Sequence, residues 1–137
     1  MKSGLKYTTF SSEKSINELL FNISIWNSEF EFIEIELSFL KHLIKTYPFQ
    51  VSIPNLFERL QLFILDLDNL EEDQVSIIQN LSIQKNQLKN KSIKEDFNYD
   101  TFNLKDYDNL TEEIFNYLVE YKKIKIKIYQ YINGLIK

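Results

Sequence analysis

An apolar residue recurs at alternating intervals of three and four from Ile16 to Tyr47, and a chain carrying that pattern has few ways to fold. Ile16, Leu19, Ile23, Trp26, Phe30, Ile33, Leu37, Leu40, Ile44 and Tyr47 keep the spacing without a miss. Residues so spaced line one side of an α-helix, whereas one face of a strand takes every second residue. The run is the a/d seam of a heptad pattern and predicts one helix from about Glu13 to Tyr47. Ser11 or Ser12 stands where an N-cap belongs, and Pro48 marks the stop. A second stripe, Ile25, Phe32 and Phe39, repeats every seven residues and is well rotated from the first. A helix with two apolar stripes is expected to touch neighbours on two sides.

The same spacing returns twice. Leu56, Leu60, Phe63, Leu67, Leu70, Ile77, Leu81 and Leu88 carry it through the middle of the chain, interrupted by polar Gln74 and Gln84. Ser52 is positioned to cap this helix, Pro54 suits a first turn, and Val51 is placed to staple against Leu56. The predicted span is 53–92. The stretch from Lys94 to Lys105 loses the periodicity and reads as a loop, with Phe97, Tyr99 and Phe102 expected to pack down. Tyr107, Leu110, Ile114, Tyr117, Tyr121, Ile124, Ile128, Tyr131 and Leu135 then define a third helix over about 106–136, with Gly134 where it should fray. Two short segments also alternate like strands, Phe30 to Leu37 and Lys123 to Ile128. Both lie inside longer helical runs without flanking turn residues, so helix is the expectation for each.

Composition agrees. A 137-residue chain with only two Gly and two Pro lacks the punctuation an all-β fold of that length draws on. It is one domain's worth of chain (1–137), long enough to bury a core without staples. The fold expected is all-α: an elongated antiparallel bundle of three long helices, with oligomerisation as a route to completing it. The short first connection makes an antiparallel hairpin, and the third helix returns along the first. Folding the chain this way puts Glu29, Glu31, Glu34 and Glu36 level with Asp66, Asp68, Glu71, Glu72 and Asp73. Lys122, Lys123, Lys125 and Lys127 reach the same height, which predicts an internal charge match rather than a binding patch.

Several function classes are disfavoured. Net charge is −4, and Arg59 is the one arginine among 16 basic residues, so bidentate phosphate or base recognition has little to work with. No nucleic-acid partner is therefore expected, although the lysine clusters keep that class as a weaker alternative. The Lys85, Lys89, Lys91 and Lys94 cluster is read as cations suited to a helix C-terminus. There is no cysteine, which removes disulfides, Cys-based zinc sites and thiol catalysis. No Gly-x-Gly-x-x-Gly or Walker A sequence occurs. Met1 to Phe10 has no apolar core, and no run of apolar residues is long enough for a membrane span, so a cytoplasmic protein without membrane contact is expected. Four Asn-x-Ser/Thr sequons, at Asn22, Asn80, Asn90 and Asn109, are read as chance in a chain rich in Asn and Ser.

A carboxylate-bridged metal centre in a helical bundle needs glutamates from several helices together with Glu-x-x-His pairs. The single histidine, His42, follows Phe39 rather than Glu by three residues, and Glu29 and Glu36 are the only interior-leaning acidic pair. They define an alternative metal-binding reading, but no metal, cofactor or catalytic residue is expected. The surplus of large apolar groups beyond the three seams points elsewhere, because contiguous exposed apolar patches mark interfaces. The expected function is that of a non-enzymatic helical interaction module (adaptor, scaffold, inhibitor or immunity-type protein). It would bind a protein partner or itself through Ile25, Phe32 and Phe39. The competing role for that stripe is packing against the third helix.

Overall fold

The computed structural model describes residues 16–50, 52–93 and 104–135. Within them lie α1 (Ile16–Thr46), α2 (Leu56–Ile93) and α3 (Leu104–Leu135), and no strand. Their 31, 38 and 32 residues correspond to rods of about 46, 57 and 48 Å at 1.5 Å per residue. The two segments that alternate like strands are helical throughout, so the three-four spacing of the longer run prevails over the local alternation.

Side-chain contacts give the topology. Gln74 of α2 meets Phe30 of α1, while Asp68 and Glu71 meet Lys41, so residue numbers run oppositely and the pair is antiparallel. Tyr117 of α3 meets Leu70, and Tyr131 meets Phe63, which makes α2 and α3 antiparallel as well. Helices α1 and α3 therefore run in the same direction, with Tyr107 beside Leu19 and Tyr117 beside Phe30. The architecture is an all-α three-helix bundle, up-down-up. Close backbone approach is concentrated in α1–α2 and α2–α3. Between α1 and α3 much of the space is bridged by aromatic side chains, with Trp26 and Tyr107 rings 6.0 Å apart and Phe30 and Tyr117 rings 5.3 Å apart.

The core follows the predicted seams closely. Leu19, Ile23, Phe30, Ile33, Leu37, Leu40 and Ile44 are buried on α1, with Ile16 and Trp26 partly so, whereas Tyr47 lies beyond the helix and is exposed. Gln74 and Gln84, which read as interruptions, are buried members of the α2 seam. Gln74 escapes the usual penalty for a buried amide because its Nε2 donates to the Phe30 carbonyl at 2.8 Å. On α3 the last buried position among the described residues is Ile132, with Tyr131 and Leu135 at the edge.

Two helix starts differ from expectation. Helix α2 begins at Leu56, not residue 53, because Ile53 to Asn55 form a turn in which Asn55 takes a positive φ of 60°. Asn tolerates that conformation better than other non-glycine residues, and the Asn55 carbonyl accepts the first helical bond from the Arg59 N–H at 3.0 Å. Ser52 and Pro54 thus belong to the turn rather than to the cap and first helical turn. Helix α3 begins two residues early, at Leu104, whose side chain packs on the core. Ser11, Ser12, Val51, Phe97, Tyr99 and Phe102 lie outside the described residues. Among the described residues, no helix is long and apolar enough to cross a membrane.

Burial separates two kinds of seam substitution. Leu37→Ala, at a fully buried position, should lower the unfolding free energy by about 2–5 kcal/mol. Gln84→Leu should raise it by about 1 kcal/mol, because the buried Gln84 Oε1 has no hydrogen-bond donor among the described residues. Urea unfolding curves of the two variants check both signs.

Candidate functional site

The α1–α3 seam is closed by one carboxylate. Glu36, with 14% of its side chain exposed, accepts hydrogen bonds from the Tyr121 hydroxyl and from Lys125 Nζ at 2.8 Å on one oxygen. The Tyr129 hydroxyl donates to the other oxygen at 3.0 Å. Lys125 Nζ also lies 4.7 Å from the Tyr121 ring centroid, so a single cation serves both a carboxylate and a π-face. Burial is the main cause of a raised Tyr129 pKa. Its bond to Glu36 and the Glu36 charge add to that shift, and Lys125 opposes them. The cluster is a satisfied polar clamp. Its carboxylate is already neutralised and its hydroxyls are committed.

Glu29 stands two turns earlier on α1 and is exposed, so the structure does not join it to Glu36 in one site. Among the described residues no group of three or more His, Cys, Asp or Glu side chains is placed to hold a metal ion. His42 is exposed near the end of α1, and its backbone carbonyl accepts from the Thr46 hydroxyl at 2.7 Å. Lys85 and Lys89 are exposed on α2, and the side chains of Lys91 and Lys94 lie outside the described residues.

The predicted internal charge match is only partly realised. Lys41 bridges from α1 to Asp68 at 2.6 Å and Glu71 at 2.9 Å on α2, and these two hydrogen bonds hold its pKa above the ordinary value. Of the four α3 lysines, only Lys125 crosses to α1. Lys123 reaches Glu120 of its own helix at 4.0 Å, while Lys122 and Lys127 are exposed and make no ion pair among the described residues. The correction has a simple cause. Residues 122, 123, 125 and 127 are spread around a helix with 3.6 residues per turn, so they cannot all face one neighbour.

The Ile25–Phe32–Phe39 stripe does not pack on α3. Its members are 46%, 57% and 55% exposed, and contact with α3 is made instead by Trp26, Phe30 and Glu36. Phe21 and Ile35 extend the exposed set along the same side of α1. Phe32 lies four residues before Glu36 and Phe39 three after it, so the stripe borders the clamped seam. Across that seam, α3 exposes Phe115, Val119 and Ile126, and Ile126 lies one turn before Tyr129. Two apolar stripes thus flank one groove whose floor carries Glu36 and its donors. The sequence reading missed the α3 half of this face, in particular Val119 and Ile126. Its signal was the spacing of Phe115, Val119 and Ile126, which come round to one side of a helix but are obscured by the intervening lysines.

Comparisons of the chain with protein-family models, with curated proteins and with solved structures give no match. What bears on function is therefore this geometry.

The buried phenol of Tyr117 donates to the Leu70 carbonyl at 2.9 Å, and burial pushes its pKa well above the ordinary value, with the Asp73 and Glu71 charges adding to the shift. Lys41 is also raised. A group with a raised folded-state pKa contributes its full stability below the unfolded value and loses it as pH climbs past that value. The bundle should therefore lose stability above about pH 10, where unfolded Tyr and Lys begin to release protons. Tyr117→Phe should be less stable at neutral pH by about 1 kcal/mol and show a shallower alkaline decline. Denaturation series from neutral pH to the alkaline limit check both.

Proposed function

We propose that this protein is a non-enzymatic helical interaction module that binds a protein surface through the outward apolar face of α1, centred on Ile25, Phe32 and Phe39. The observation that carries this reading is the exposure of those side chains on a helix whose opposite side already supplies the core. An apolar residue scattered singly over a surface is ordinary. A row of Phe and Ile along one helix face is a contiguous patch, and such patches favour association because water leaves apolar area at about 25 cal/mol per Å². The two phenylalanines are suited to act as anchors, since large aromatic groups dominate binding energy when they fill a partner's pockets. The clamp at Glu36 supports the face from below by holding α1 at a set distance from α3.

Phe32→Ser/Phe39→Ser tests the assignment. Both side chains point away from the core, so helicity by circular dichroism and the unfolding midpoint should stay near those of the parent. Sedimentation velocity, on the purified protein and in extract of the native cell, should show complexes for the parent that the variant lacks. A variant that sediments like the parent in both conditions would remove the stripe as the binding site.

A further inference from the structure

The proposed interaction face leaves open what covers it, and the arrangement of its charges answers that. Resting on that function, we propose that the α1–α3 face is covered by the same face of a second copy, related by a two-fold axis along the bundle, so that α1 of each protomer lies on α3 of its partner.

The first reason is the match of the two stripes. Phe21, Ile25, Phe32 and Phe39 on α1 and Phe115, Val119 and Ile126 on α3 are exposed on either side of one groove. Each protomer therefore brings two apolar ridges, and two such faces bury all of them against each other. The face is also large enough. From Phe21 to Phe39 is about 27 Å along α1 at 1.5 Å per residue, and two helices side by side are about 20 Å wide. That is a flat footprint on the order of 500 Å² before side-chain relief is counted, comparable with the roughly 800 Å² each partner gives to a standard interface.

The second reason is charge. Two identical faces of this kind can meet about a two-fold axis in only two ways. An axis across the helices lays α1 on α1 and α3 on α3, antiparallel. An axis along the helices lays α1 on α3, parallel. On the α1 side of the face Glu29 is exposed, and on the α3 side Lys122 is exposed; neither has an ion pair among the described residues. Glu29 follows the heptad of Glu36, and Lys122 lies one turn before Lys125, so both border the clamped seam. With its axis midway between their levels, the antiparallel arrangement lays the Glu29 helix on its own copy and the Lys122 helix on its own, each residue about 9 Å along the bundle from its like-charged counterpart. The parallel one sets Glu29 of each protomer against Lys122 of its partner, twice. Their levels fit: Phe30 is beside Tyr117, and with Glu29 one residue before the first and Lys122 five after the second the offset is six residues, about 9 Å along the axis. A glutamate and a lysine side chain together span that offset. Complementary charges select the packing, while the apolar ridges supply the affinity.

Light scattering on a sizing column over a wide concentration range should give twice the 16.5 kDa chain mass, and Phe32→Asp should return it to one chain mass with helicity retained. Glu29→Lys and Lys122→Glu should each weaken the dimer about tenfold or more, by placing like charges opposite each other at both symmetric contacts. The double variant Glu29→Lys/Lys122→Glu should recover it. A parent that stays monomeric at every concentration overturns the second-copy proposal, while leaving the interaction module to be judged by the sedimentation of the Phe32/Phe39 variant in extract. A dimer that survives Phe32→Asp overturns both. A dimer that Phe32→Asp dissociates but the charge exchanges leave unchanged overturns the α1-on-α3 packing.

Discussion

Because α1 and α3 face each other largely through long side chains, the bundle depends on α2, whose seam is packed from both sides. Leu67, Leu81 and Leu88 are completely buried and Leu70 and Ile77 nearly so, and the two neighbouring helices approach closest along this helix. Removing apolar area from water is the dominant favourable term in folding a chain of this size, and here most of it is arranged around one rod. Besides the Lys41 bridge to Asp68 and Glu71 at the rim, hydrogen bonds cross from α2 within that seam. Gln74 donates to the Phe30 carbonyl, and the Leu70 carbonyl accepts from Tyr117. Each sits at mid-height and gives a single register a directional preference that sliding leucines do not provide, as buried polar groups do in coiled coils.

The α1–α3 side is built on a different principle. Tyrosine is longer than leucine and carries a polar tip, so Tyr107, Tyr121 and Tyr129 span a wider gap and need acceptors at its far side. The Leu19 carbonyl and the Glu36 carboxylate supply them. The consequence is a groove with a polar floor and apolar rims, because the side chains that flank Glu36 at helical spacing are Phe32 and Phe39. A slender three-helix bundle has only one interior. The second apolar stripe of α1 cannot share it, and so it is left at the surface, where association is the way to remove it from water.

The seams were legible at nearly every position, including the edges. Ile16 and Trp26 are half-buried as the ends or wide points of a stripe should be, and the strand-like alternation around Ile33 yielded to the longer period. Helix starts were less legible. Ser52 and Pro54 have the right residue types for a cap and a first turn, but Asn55 can adopt a positive φ, and the chain uses that freedom to delay α2 until Leu56. Of the candidate face, Ile25, Phe32 and Phe39 were visible as a seven-residue repeat. Whether they met α3 or solvent was not visible, since a repeat gives a direction around the helix axis and not the place of a neighbour. The partner of Glu36 was hidden for the same reason. Tyrosines at seam positions signal that hydroxyls need acceptors, but naming the acceptor requires the height of one helix against another.

The sequence by itself determined that this chain is three long helices with continuous apolar seams, because helical periodicity is a local property written into residue spacing. It also determined that α1 has a second apolar stripe. Only the tertiary structure decided that Lys125 alone among its lysine neighbours reaches Glu36, and that the second stripe faces outward beside exposed Phe115 and Ile126. Those outcomes depend on the rotation and height of each helix relative to the others. Many residues packing at once set both, and no single segment of sequence contains them.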